Sequence, residues 1–177
     1  GGTLQVGPRS AGAVPGPACY GRGGTRPTVT DANLVLGYLS ARSRLGGSLA
    51  LDTDAATEGV RQHVADPLAM DPVDAAKGIV DIVNIQMEEA IKGISTMRGY
   101  DLRDFTLVGF GGAGPVHTAA MMEDLHSVPS IVVWVPFNEK WGQFDTKRIV
   151  GIVEQTDSSR LVNDASGWQH EKAGDSI

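Results

Sequence analysis

The chain has 177 residues, 15 Lys plus Arg against 21 Asp plus Glu, a net charge of −6 and 41% apolar residues. That length suits one domain with a real core, but a complete (β/α)₈ barrel takes roughly 250 residues and is excluded. The acidic balance argues against nucleic acid or an anionic membrane as the main partner.

One cysteine, Cys19, rules out an internal disulfide framework and a cysteine-rich zinc site. No apolar run reaches the ~18 residues of a membrane span. The chain opens on Gly1, and its first seven residues read as mid-domain sequence, so it is expected to begin inside a larger protein. A single thiol and no visible leader make the cytoplasm the expected location.

Residues 1–30 are rich in Gly, Pro, Ser and Thr, as in Gly7-Pro8-Arg9-Ser10 and Pro15-Gly16-Pro17. Such clusters break the chain into turns, and a long ordered loop in a compact domain is usually functional. Thr30 or Asp31 can then cap a short helix that Gly37 ends. A second helical stretch opens at Asp54 and runs to about Val64, with a weak register.

The clearest element spans residues 72–97. Asp71 sits at its N-cap and Pro72 at the first helical position. Val73, Ala76, Val80, Val83, Met87, Ala90, Ile94 and Met97 follow in steps of three and four, which defines one helix face. That face is expected to meet the core, and Gly99 to stop the helix.

Phe105-Thr106-Leu107-Val108-Gly109-Phe110 then reads as a buried strand. Gly111-Gly112-Ala113-Gly114 follows, with Pro115 starting a helix that runs to about Leu125. Strand, glycine turn and helix N-terminus together suit a phosphate, because the glycines admit close backbone approach and the helix end favours negative charge. A plain tight turn explains the glycines equally well.

A second buried strand at 130–135, a helix at about 144–155 and a short strand at 160–163 predict a parallel βαβ unit. The tail from Gly167 is polar. Alternating strands and helices make the fold class α/β.

Two segments carry a family resemblance: VGPRSAGAVPGPACYGRGGTRPTVTDANLVLG (6–37) and RGYDLRDFTLVGFGGAGPVHTAA (98–120). They resemble the hydantoinase A/oxoprolinase family over residues 1–125. The resemblance implies a partial actin/Hsp70-like domain from an ATP-dependent hydrolase of cyclic amides, inactive when taken alone. It also implies ATP with Mg as cofactor, a small cyclic amide as substrate and a hydantoinase B-like partner subunit.

SIVVWVPFNEKWGQFDTKRIV (130–150) and SRLVNDASGW (159–168) resemble instead the catalytic barrel of family 2 glycoside hydrolases. This second likeness, over residues 126–177, implies a segment of a TIM barrel. It makes Glu139 the general acid/base and Asn138 the group that binds the sugar 2-hydroxyl. Retaining glycosidases need a second carboxylate roughly 5–5.5 Å from the first, and no residue up to 177 sits in a matching nucleophile motif. The two likenesses meet near residues 124–130, so the chain reads as a chimera of two incomplete parents.

The candidate site residues follow. Gly111, Gly112 and Gly114 are the nucleotide-facing set, a role that the resemblance favours. Asp31 and His117 are metal candidates, since carboxylate and imidazole suit a divalent ion such as Zn²⁺ or Mn²⁺. A helix cap and a first-turn helix histidine are the plainer alternatives. Cys19 is a soft ligand, a nucleophile or an inert buried thiol. Arg9, Arg22 and Arg26 can grip a phosphate or carboxylate through forked hydrogen bonds, or stand in solvent.

Overall fold

The computed structural model describes residues 3–42, 44–45, 48–101, 114, 116–117, 133–136, 145–165, 171 and 173–174. The chain divides into two compact units, Gly1–Gln86 and Met87–Ile177. The boundary drawn from sequence, at 125/126, falls outside the described residues.

The first unit opens with a loop that makes one 3₁₀ turn, Ala18–Tyr20. Helix α1 follows, Val29–Val35. Its N-cap is Thr28, not Thr30 or Asp31 as the sequence reading had it. Asp31 occupies the third helical position and completes a capping box with Thr28. Gly37 takes a left-handed φ of 73° just beyond α1, as a helix stop requires.

Helix α2, Thr53–Val60, is capped by Asp52, whose carboxylate accepts the Ala55 N–H at 2.9 Å. The chain continues without a break through a π turn, Arg61–Ala65, into α3, Asp66–Leu68. Pro67 explains the widening. A proline in a helix clashes with the carbonyl four residues back and gives no N–H, and a π turn absorbs that misfit.

Helix α4, Pro72–Ile94, starts as predicted, with the Asp71 carboxylate accepting the Val73 N–H at 2.8 Å. It ends three residues short of the expected Met97, and a 3₁₀ turn, Thr96–Arg98, runs into Gly99. The buried face also differs from the predicted stripe. Ala75, Ala76, Ile79, Val80 and Asn84 are buried, whereas Val73, Ile94 and Met97 are 53%, 67% and 78% exposed.

The core of this unit joins Ala32 of α1, Val60, Val64 and Ala65 of α2 and the π turn, and the buried face of α4. Leu4 and Val6 of the opening loop pack onto it. Four of the core's eight buried side chains are alanine. Between residues 3 and 101 the described chain forms no strand, only an isolated bridge between Leu45 and Leu49. The described part of this unit is helix and loop, as read from sequence, since the strands expected for an α/β class begin only at residue 105.

In the second unit, β1, Val133–Trp134, pairs in parallel with β2, Leu161–Val162, and α5, Thr146–Thr156, lies between them in sequence. The predicted βαβ order is observed, with Trp134 opposite Val162. Trp134, Val150, Val153 and Val162 form its core. The Trp134 indole donates to Asp157 at 2.9 Å, and Arg160 pairs with the same carboxylate while lying 5.8 Å from the Trp134 ring centre. The predicted strand at 105–110 and most of the glycine turn lie outside the described residues. Gly114, Val116 and His117 are helical.

Candidate functional site

The opening loop of the first unit is organised around one carboxylate. Asp31 is fully buried. Its Oδ2 accepts the Thr28 N–H at 2.7 Å, the Thr28 hydroxyl at 2.8 Å and the Ala18 N–H at 3.2 Å. Its Oδ1 accepts the Cys19 N–H at 2.8 Å. Buried carboxylates persist only when hydrogen-bonded in this way. The Cys19 carbonyl in turn accepts the Asp52 N–H at 2.9 Å, so the 3₁₀ turn is pinned between α1 and the cap of α2.

Two glycines let the loop fold back on itself. A Cβ on Gly24 would stand 2.1 Å from the Gly16 carbonyl oxygen, and Gly16 itself has a φ of 74°. The folded loop borders a cleft of about 830 Å³ whose floor includes Val64 and Ile79. Arg9 and Arg26 line it, and among the described residues no acidic side chain does.

The Cys19 thiol is buried, and burial pushes its pKa far up; its hydrogen bond to Asp31 adds to the shift. A thiol held protonated is a poor nucleophile and a poor metal ligand. Burial also raises the Tyr20 phenol, which hydrogen-bonds with Thr30. His117 belongs to the second unit, where it is buried and its pKa is lowered by that burial.

Of the sequence candidates, Asp31, Cys19, Arg9 and Arg26 come together around the loop, and Arg22 is exposed on it. Gly111 and Gly112, with Asn138 and Glu139, lie outside the described residues. Among the described residues no group of three or more His, Cys, Asp or Glu could hold a metal ion. The donors on Asp31 come from its own chain and occupy both carboxylate oxygens. Sequence reasoning missed Thr28, although Thr-x-x-Asp at 28–31 spells the capping box in plain residues.

The hydantoinase/oxoprolinase family profile matches residues 1–136. The chain belongs to this family. Over 126 residues it is 52% identical to the caprolactamase alpha subunit of Pseudomonas jessenii, covering 71% of this chain and 18% of that one. It is 47% identical to the acetophenone carboxylase gamma subunit of Aromatoleum aromaticum, covering 74% and 18%. The crystal structure of the ATP-dependent caprolactamase from Pseudomonas jessenii superposes with a TM-score of 0.65. Nucleotide-free acetone carboxylase does so at 0.64 with 32% identity, covering 70% of this chain and 17% of that one.

The chain thus spans about a fifth of the length of these relatives. The family match also crosses the junction expected near residues 124–130. The comparisons give no support to a glycoside hydrolase segment, a TIM-barrel piece or a chimera. Among the described residues no helix is long and apolar enough to cross a membrane.

Proposed function

We propose that this chain carries part of an ATP-dependent hydrolase that opens a cyclic amide. The observation that carries this reading is its 52% identity, on a shared fold, to an ATP-dependent caprolactamase. ATP, when bound, would supply the phosphoryl group that activates the ring amide oxygen before water opens the ring. Gly114 is helical, and Gly111, Gly112 and Gly114 are the residues that would hold the nucleotide's phosphates by the family resemblance.

The role proposed for Asp31 is to hold the loop, through four hydrogen bonds from Ala18, Cys19 and Thr28. It does not fit as a metal ligand, because a cation would have to displace those donors into a buried, unsatisfied state. His117, kept neutral by burial, is suited to orient a polar group. Relatives named as alpha, beta and gamma subunits support a partner subunit for this chain as well.

The test is thermal unfolding of the chain with and without Mg-ATP, beside Gly114→Val. An upward shift with nucleotide, lost in the variant, is expected. No shift at millimolar Mg-ATP would remove nucleotide binding from this chain. The glycosidase reading of Asn138 and Glu139 rests on their local sequence alone, since a parallel βαβ unit is common to every parallel sheet. Thermal protection by an iminosugar, lost in Glu139→Gln, is the result that would carry it.

A further inference from the structure

The cleft in the first unit has three features that belong together. Its volume of about 830 Å³ falls within the range of small-molecule sites. Val64 and Ile79, both core residues, give it an apolar floor. Arg9 and Arg26 are its charged lining, and among the described residues no Asp, Glu or Lys joins them.

Those two arginines differ from the ion-paired arginines of the chain. Arg61 is held by Glu58 and Asp66, Arg148 by Asp145 and Arg160 by Asp157. Arg9 and Arg26 are exposed and make no ion pair or hydrogen bond among the described residues. In a chain with a net charge of −6, two uncommitted guanidinium groups on one cleft make a local positive field, and the nearby Asp31 carboxylate is occupied by its own four donors. A field of that kind in a partly enclosed cleft concentrates anions. The setting is also closely packed. Gly24 and Gly16 pack backbone against backbone on one wall, and Asp31 pins the turn behind them.

We propose that this cleft binds a small organic carboxylate, with the carboxylate gripped by Arg9 and Arg26 and a short apolar body laid on Val64 and Ile79. A guanidinium meets a carboxylate with two parallel N–H donors, which an ammonium cannot do. The apolar floor selects against a bare inorganic anion, because water would be left on Val64 and Ile79. This inference stands apart from the cyclic-amide reading and needs neither nucleotide nor turnover.

The test is calorimetric titration of the full chain with hexanoate, inorganic phosphate and 1-hexanol, repeated on Arg9→Gln, Arg26→Gln and the distant exposed Arg42→Gln. Circular dichroism checks that each variant keeps its helices. Saturable hexanoate binding is expected, weakened about tenfold or more by either cleft variant, as loss of a charge-assisted hydrogen bond implies. Arg42→Gln should leave it unchanged, and 1-hexanol should not bind. Arg9→Lys should recover only part of the affinity. Phosphate binding with the same arginine dependence but no hexanoate binding would overturn the carboxylate assignment. No saturable anion binding, or binding indifferent to both cleft variants, would overturn the site.

Discussion

A carboxylate taken out of water must recover its lost hydration from the protein, and Asp157 shows the consequence for acid stability. Burial opposes its charge, but the Ser159 hydroxyl and amide, the Trp134 indole and Arg160 together outweigh burial and hold its carboxyl well below the usual carboxylate range. A group whose folded pKa is depressed binds more protons when unfolded, so stability falls as pH falls. Its contribution is complete above the unfolded value of ~3.9 and is lost as pH drops below it. Urea unfolding at a series of pH values should therefore show a steeper acid loss in the native chain than in Asp157→Asn. Parallel curves would mean that the Asp157 carboxyl titrates alike in the folded and unfolded chain. At the same scale, Cys19 proves to be the inert buried thiol among its expected readings, whereas its hydrogen bond to Asp31 was not legible in the sequence.

At the scale of elements, the Asp31 clamp joins the 3₁₀ turn to α1, and the Asp52 N–H joins the same turn to α2. Asp31→Ala would strand the Ala18, Cys19 and Thr28 amides, each at a cost of roughly 1–3 kcal/mol where water cannot reach them. Water entering the loop should moderate the sum, and a loss of about 2–4 kcal/mol in urea unfolding is expected. Asp31→Asn should recover only part of this, because its NH₂ group cannot accept. A loss below about 0.5 kcal/mol, the level of an ordinary surface change, would show that the clamp does not organise the loop.

Helix ends were legible because their causes are local. Asp71, Pro72 and Gly99 mark a start and a stop within a few residues. The buried face of α4 was harder to read. Periodicity identifies which side chains share a face, but only the packing of α1 and the π turn decides how far along α4 that face is covered. Val73, Ile94 and Met97 fit the period and remain exposed.

For the whole molecule, the chain divides into two compact units, each with its own apolar cluster among the described residues, and the two should unfold separately. All three tryptophans, Trp134, Trp141 and Trp168, lie in the second unit, while α1, α2, α3 and most of α4 lie in the first. Urea titration followed by tryptophan fluorescence should therefore have a different midpoint from the same titration followed by circular dichroism at 222 nm. Coincident curves would mean one cooperative transition across both units.

The sequence by itself determined the family, the long helix with its caps, and the βαβ order of residues 133–162. These depend on residue identity and on spacing along the chain, which a linear string records in full. Tertiary structure decided the work of Asp31 and the grouping of Arg9 with Arg26. The amides that occupy Asp31 lie 12 and 13 positions away, and the two arginines are separated by the loop between them. Such groups meet only when the loop closes, and the closure depends on a glycine contact that no local pattern announces.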